Sequence, residues 1–142
     1  MNLILKMLAG AFVLAVPAGA SAGDVAVDLS GVRAGGTLYV QLQTREQFMG
    51  AARASGAILA SPAAVPISLI LKDVAPGDYA LTVWHDDNGN RMFDVDPASG
   101  RPADGWATVN ADGLRGPPTF DQVKTQVGAE GARIALPVHY GR

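Results

Sequence analysis

Alternation of apolar and polar side chains is the feature that most limits what this 142-residue chain can fold into. A period of two places successive side chains on opposite faces of a strand, so that one face meets a core and the other meets water. The clear alternating stretches cover residues 25–30, 38–43, 67–72, 79–84 and 134–140. A weaker alternating stretch over 123–127 predicts one more strand.

Glycine and proline separate these stretches and agree with the strand prediction. Gly35-Gly36 precedes the second stretch, and Pro76-Gly77 precedes the fourth, in a pair that suits a type II turn. Because Pro137 cannot donate a hydrogen bond to a ladder, the last strand is expected at a sheet edge or a bulge. Only residues 45–61 lack alternation, and their alanines predict a short helix.

These patterns predict an all-β protein, a single antiparallel β-sandwich of about seven strands. No repeat or linker divides the sequence. We therefore expect one domain, residues 23–142, after an amino-terminal segment of a different kind.

That segment, residues 1–22, has the order of a secretory signal peptide. Lys6 is followed by an apolar run over 7–16 and then by Ala20-Ser21-Ala22, so cleavage is expected after Ala22. A membrane anchor is the alternative, but a run of about ten residues is shorter than the roughly 20 that cross a bilayer. The pattern predicts a periplasmic or secreted protein with no membrane anchor after cleavage.

The charge of the chain limits the classes of partner it can bind, and its cysteine content limits how the fold is stabilised. The chain has 11 basic and 13 acidic residues, a net charge of −2, and no basic stripe. Nucleic acid and anionic membrane surfaces are therefore poor partners on electrostatic grounds. The chain has no cysteine, which excludes disulfides and thiol chemistry. The fold must therefore depend on its core, with or without a bound ion.

One loop carries the most specific chemistry, "TVWHDDNGNRMFDVD" over residues 82–96. Side-chain oxygens at alternate positions converge in calcium loops, and the seventh position contributes its main-chain carbonyl. Counted from Asp86, the acids and amides here fall at positions one, three, five and nine. The predicted calcium ligands are Asp86, Asn88, Asn90, Met92 through its carbonyl, Asp94 and Asp96.

The loop departs from the full calcium pattern at two positions. The sixth residue, usually Gly, is Arg91, and the twelfth is Pro97 rather than Glu. Asp96 or Asp104 would have to complete the shell. Two formal carboxylates with neutral amides predict weak affinity, on the order of 10⁻⁴ to 10⁻³ M.

A plain polar turn is the alternative for this loop. Two unit charges 4 Å apart repel by about 4 kcal/mol at an effective dielectric near 20, so a tight turn gathers four aspartates only around a cation. An open, solvated loop keeps them apart without one. Asn-Gly and Asp-Asn are also favoured turn residues in their own right.

Three segments, "PGDYALTVWHDDNGNRMFD", "GPPTFDQVKTQV" and "IALPVHY", resemble the exported bacterial family known as domain of unknown function 2141. The resemblance implies a compact sandwich similar to transthyretin and the carboxypeptidase regulatory domain, and so Ig-like. It implies no established activity. Where the family usually has Glu-Gly, this chain has Asp104-Gly105. The acidic run is also similar to calcium loops in bacterial surface-adhesin sandwiches.

Other candidate residues are His85, His139, Trp84 and Trp106. The two histidines could join an acid in a zinc site, although surface or core positions are the more ordinary explanation. The two tryptophans flank the acidic loop. They could form an exposed platform for a sugar or peptide, but their position favours covering the core at the strand end.

Two classes of function stay open at this point. We expect a non-enzymatic binding or structural module with an unknown extracytoplasmic ligand or protein partner, either braced by calcium or a plain interaction domain without metal. The other class is a transthyretin-like hydrolase acting on ureides, whose closing peptide is Tyr-Arg-Gly-Ser. This chain ends Tyr140-Gly141-Arg142, and the other catalytic residues have no clear counterpart, so no enzyme is expected.

Overall fold

A computed structural model describes residues 22–141, which form two β-sheets packed face to face. The predicted all-β sandwich is confirmed. The strands are β1 (Gly23–Ser30), β2 (Thr37–Gln43), β3 (Ser55–Ala60), β4 (Ile67–Val74), β5 (Gly77–Asp86), β6 (Gly105–Thr108), β7 (Lys124–Val127), β8 (Ala132–Pro137) and β9 (His139–Tyr140). A 3-10 turn, Ala111–Gly113, and one short helix, α1 (Phe120–Val123), follow β6.

The smaller sheet has three strands in the order β4-β1-β8. β1 is antiparallel to β4 and parallel to β8, which is the one parallel pair among the described strands. The larger sheet has the order β3-β2-β5-β6-β9. β5 is ten residues long, and its first half pairs with β7 while its second half pairs with β6.

Alternation along the strands places the core between the two sheets. Val25 and Val27 of β1 are completely buried, and they face Leu38 and Leu81, which are buried just as fully in the larger sheet. Burying an aliphatic side chain of this size contributes about 1.5–3 kcal/mol. The sandwich is therefore held together by these inward rows, without any cross-link.

The segment 45–61 differs from its prediction. The expected short helix is wrong, because residues 55–60 form β3, which pairs with β2 from Thr37↔Ala60 to Leu42↔Ser55. Small residues allow close approach at this sheet edge, and hydrogen bonding to β2 overrides a weak helical preference. The sequence indicated six stretches and a sandwich of about seven strands. With β3 and the short β6 and β9, the structure has nine strands among the described residues.

The carboxyl-terminal stretch passes from one sheet to the other. β8 ends at Pro137 on the edge of the smaller sheet, so the expectation for this proline is confirmed. Val138 donates its main-chain N–H to the carbonyl of Ser30, 2.9 Å away. The next two residues then join the larger sheet beside β6, where Trp106 pairs with His139.

Trp84 and Trp106 lie on the outward face of the larger sheet. Their neighbours in sequence, Val83 and Ala107, belong to the core, whereas the two half-buried indoles do not. The expectation that they cover the core is therefore wrong. Strand parity gives the reason, because the inward neighbour of Trp84 on the other side is His85, which is completely buried.

The predicted signal peptide, residues 1–22, lies outside the described residues except for Ala22. Among residues 22–141, no helix has the length and apolar character needed to cross a bilayer.

The paired glycines before β2 give a test of the close approach between β2 and the end of β5. Both have positive φ, 86° for Gly35 and 65° for Gly36, so alanine at either position costs about 1–2 kcal/mol in backbone strain. A Cβ at Gly36 would also meet the main-chain oxygen of Asp86, whereas one at Gly35 would meet nothing within 4 Å.

We expect Gly36→Ala to lower the free energy of unfolding by about 2 kcal/mol more than Gly35→Ala does. Urea denaturation of the two variants measures this difference directly. Equal losses would show that β2 and the end of β5 do not approach as described.

Candidate metal site

The acidic loop starts from a buried carboxylate at the last residue of β5. Asp86 pairs with Thr37 of β2 and is completely buried. Its Oδ1 accepts the main-chain N–H of Asn90 at 3.1 Å, and its Oδ2 accepts that of Arg91 at 2.9 Å. A buried carboxylate is stable only with such charge-assisted partners, so these two bonds curl the chain back over the strand end.

The two asparagines repeat this turn and converge on Asp94. The Oδ1 atoms of Asn88 and Asn90 accept the N–H groups of Asn90 and Met92, at 3.0 and 2.9 Å. The side-chain amides of Asn88 and Asn90 both donate to Asp94 Oδ2, at 2.7 and 2.8 Å. The structure therefore brings Asp94 together with both predicted amide ligands, above the backbone turn that Asp86 holds.

Arg91 at the sixth position does not prevent the loop from curling. Its φ is 63°, in the left-handed region that the usual glycine adopts without strain, and Gly89 has a φ of 72°. A non-glycine residue in this region costs about 1–2 kcal/mol. The hydrogen bond from the Arg91 N–H to Asp86 offsets part of that cost.

Asp104 folds back beside the loop. It is 1 % exposed, and its Oδ2 accepts the Trp84 Nε1–H at 2.8 Å and the Asp94 N–H at 3.1 Å. The Asp94 carbonyl in turn accepts the N–H of Ala103. The antiparallel register that pairs His85 with Gly105 sets this arrangement, and residue spacing alone could not reveal it.

Asp96 belongs to a separate turn. Its carboxylate accepts the Ala98 N–H at 2.9 Å and the Ser99 hydroxyl at 2.8 Å. These two donors, the Ala98 N–H first, lower the pKa of Asp96 below its ordinary value. Asp96, one of the six predicted ligands, is thus directed at the 96–100 turn. Met92, another of the six, is 63 % exposed, and only its main-chain carbonyl is a predicted ligand.

The loop offers oxygen atoms of a kind that suits calcium. Within residues 22–141, no three His, Cys, Asp or Glu side chains are grouped to hold a metal. A cation at this loop would therefore depend on amide and carbonyl oxygens beside the carboxylates of Asp86 and Asp94. Calcium takes six to eight hard oxygens with flexible geometry, whereas zinc requires nitrogen, sulfur or carboxylate ligands in a tetrahedron.

His85 is committed to structure rather than to zinc. Its Nε2 lies 2.7 Å from the carbonyl of Gly35 and must donate to it, so Nδ1 accepts the Tyr140 hydroxyl at 2.6 Å. Both ring nitrogens are thus used in a completely buried side chain. Tyr140, which the sequence did not single out, also accepts the Arg33 N–H at 3.0 Å, and burial raises its pKa.

Asp87, the residue after β5, does not contact the group formed by Asn88, Asn90 and Asp94. Its carboxylate lies 3.6 Å from the Arg33 guanidinium, on a side chain that is 28 % exposed. Asp86 and Asp87 are adjacent in sequence but separate in role. Asp86 ends β5 on the same face as Trp84 and is enclosed by the turn whose N–H groups it accepts, whereas Asp87 lies beyond the strand and faces Arg33.

The two bonds accepted by Asp104 predict the cost of removing its carboxylate. Asp104→Ala leaves the Trp84 and Asp94 donors without their acceptor, so we expect a loss of about 2–3 kcal/mol in the free energy of unfolding. Asp104→Asn keeps one acceptor oxygen and should lose less than half as much. Chemical denaturation followed by tryptophan fluorescence measures both, and equal losses would contradict the hydrogen-bonding role.

Comparison with known proteins identifies a family for this chain. No curated protein and no solved structure matches it, so the expected likeness to transthyretin stays a prediction. A family model described as "Uncharacterized protein conserved in bacteria (DUF2141)" matches residues 27–135. This match covers most of the sandwich, including the acidic loop and the return through Asp104, and the chain belongs to the DUF2141 family.

Proposed function

We propose that this protein is a non-enzymatic module of the extracytoplasmic space whose 86–96 loop binds calcium weakly and thereby stabilises one end of the sandwich. The observation that carries the proposal is the convergence of Asn88 and Asn90 on one oxygen of Asp94, above a turn held by buried Asp86. The secretory pattern of residues 1–22 supports an extracytoplasmic location.

The chain supplies the ligands through small rearrangements. The amide nitrogens of Asn88 and Asn90 now face Asp94 Oδ2. A half-turn about the last side-chain torsion would direct each amide oxygen there instead, and it would break the bonds that these oxygens accept from the N–H groups of Asn90 and Met92. Asp86 and Asp94 would supply the negative charge, and the Met92 carbonyl a further oxygen. Asp96 would join them only by leaving the Ala98 N–H and the Ser99 hydroxyl that it now accepts. With so few charges the ion is structural and weakly held, as in extracellular modules.

A plain turn is the competing explanation, and one observation favours it. The loop is already closed by its own hydrogen bonds, since both amides donate to Asp94 and Asp86 holds two main-chain N–H groups. Under that explanation calcium has no effect on stability. The two explanations differ in a single measurable quantity, the dependence of the melting temperature on calcium.

The hydrolase alternative is poorly supported by the geometry around the carboxyl terminus. A general base needs a nitrogen or oxygen within hydrogen-bond reach of the substrate. His85 is completely buried and uses both nitrogens on Gly35 and Tyr140. Measurable hydrolysis of a ureide such as hydroxyisourate by the purified protein would overturn the non-enzymatic assignment.

We expect millimolar calcium to raise the melting temperature relative to chelator. At a calcium concentration ten times the dissociation constant, binding contributes about 1.4 kcal/mol, which corresponds to about 4–8 °C for a small domain. Differential scanning calorimetry with calcium, with magnesium and with EDTA makes the comparison. Identical transitions in calcium and EDTA would leave the plain turn as the better explanation.

Two isosteric variants test whether the calcium-dependent rise in melting temperature comes from the 86–96 loop. Asp94→Asn removes one negative charge from the proposed calcium site and should abolish the calcium-dependent shift in melting temperature. Asp87 faces Arg33 instead, so Asp87→Asn should keep that shift. Asp86 is less suitable for this test, because its carboxylate holds two main-chain N–H groups whether or not an ion is bound. Loss of the shift in both variants, or in neither, would contradict the ligand assignment.

A further inference from the structure

A row of aromatic side chains crosses the outward face of the larger sheet. Tyr39 of β2 stands opposite Trp84 of β5, which stands opposite Trp106 of β6, which stands opposite His139 of β9. The Tyr39 and Trp84 rings are stacked 4.7 Å apart, and those of Trp106 and His139 are 5.3 Å apart. Three strand spacings of about 4.8 Å make the row about 14 Å long.

This row lies in a groove with a volume of about 1210 Å³. Loops enclose it on either side, one contributing Phe93 and Val95 and the other Leu114 and Pro117. Phe93 and Val95 are 50 % and 48 % exposed although both are apolar. Large apolar side chains left at the surface of a concave region are typical of ligand sites.

Hydrogen-bonding groups run beside the aromatic row, two residues along each strand. Gln41, Thr82 and Thr108 lie side by side across β2, β5 and β6 and line the same groove. The Thr108 hydroxyl is the one buried side-chain polar atom of the described residues with no hydrogen-bond partner, although Thr108 is only 6 % exposed. Because this hydroxyl has almost no accessible surface, the polar groups of the row that a ligand can reach are those of Gln41 and Thr82.

The charge of the groove is positive although the whole chain carries −2. Arg101 and Arg115 stand on its walls, and Asp112 is the only acid among its lining residues. Neither arginine forms an ion pair within residues 22–141; Arg115 donates only to the carbonyl of Leu114. A planar guanidinium with free donors is suited to a carboxylate.

We propose that this groove binds acidic oligosaccharides, that is, short chains of sugar rings that carry carboxylates. The C–H face of a sugar ring packs on the Trp106 and Trp84 end of the aromatic row, ring hydroxyls bond to Gln41 and Thr82, and the carboxylate pairs with an arginine. The site goes beyond the proposed calcium site and does not depend on it.

A sugar chain fits these observations better than a peptide does. An extended peptide gains its main-chain hydrogen bonds by adding to a free strand edge. The aromatic row lies instead on a sheet face, where the main-chain groups of β5 are already paired with β2 and β6. Tyr39 covers one face of Trp84, and His139 lies against Trp106. The remaining ring surfaces of the two indoles, with polar groups alongside, match the C–H faces and hydroxyl rims of sugar rings.

Isothermal titration calorimetry with a short oligogalacturonate tests the proposal, and its methyl ester is the matched neutral probe. All titrations are carried out in EDTA, because acidic sugars themselves bind calcium through their carboxylates. We expect the acid form to bind at least about tenfold more tightly than the ester, a difference of about 1.4 kcal/mol. No binding of either probe, or equal binding of both, would overturn the proposal.

Variants locate the site. Trp106→Ala should weaken binding of the acid form at least about tenfold, while Ile58→Ala, in the same outward row but outside the groove, should leave it unchanged. Arg101→Gln combined with Arg115→Gln removes two exposed charges and should abolish the preference for the acid over the ester. Arg53→Gln, an exposed arginine outside the groove, is the control for net charge.

A hexamer of glutamate and a proline-rich peptide complete the set of probes. Binding of either as tightly as the oligogalacturonate would overturn the proposal in favour of a peptide site. Since every titration is done in chelator, failure here leaves the calcium-dependent melting shift unaffected. Absence of the calcium-dependent melting shift likewise leaves the sugar titration unaffected. The calcium proposal and the sugar proposal can therefore be contradicted independently.

Discussion

The buried carboxylate of Asp86 is the interaction on which the functional end of this molecule depends. It accepts two main-chain N–H groups at the point where β5 leaves the sheet, and so it decides the direction of the loop that follows. The turn carries Asn90 back to Asp94, the N–H of Asp94 bonds to Asp104, and Asp104 holds the indole of Trp84. A chain of short hydrogen bonds therefore runs from a strand end, through the candidate calcium loop, to the floor of the groove. Because buried charged groups are costly without partners, loss of one link is expected to loosen its neighbours.

This connection gives the proposed calcium ion a role that reaches beyond its own loop. The segment from Phe93 to Pro102 contains Asp94 and forms one wall of the groove. A cation that fixes Asp94 would also order this wall, since folding energy from a bound ion is shared by the segments that supply its ligands. The groove does not require the ion, because strand pairing alone aligns Trp84 with Trp106. Calcium would thus adjust the stability of the wall, while the sheet sets the position of the aromatic row.

The sequence predicted the parts of this structure that depend on local pattern. Alternation placed four strands of the sandwich core correctly, and the odd-numbered spacing from Asp86 found four residues that do meet in one turn. The errors came from contacts between distant segments. β3 was missed because its pairing with β2 decides its conformation. His85 is buried in spite of its polarity because the distant Gly35 and Tyr140 bond to its ring, and this leaves Trp84 on the outward face. The contact of Asp104 with Trp84 depends on the register between β5 and β6, which spacing along the chain does not encode.

If oxygens of the 86–96 loop share one cation, a crystal structure of the protein grown in millimolar calcium will contain it. Our account predicts an ion with a calcium anomalous signal about 2.3–2.6 Å from oxygens of both Asp86 and Asp94, with the Asn88 and Asn90 amides turned so that their oxygens face it. A well-ordered loop in which both amides still donate to Asp94 and no ion is present would contradict the account.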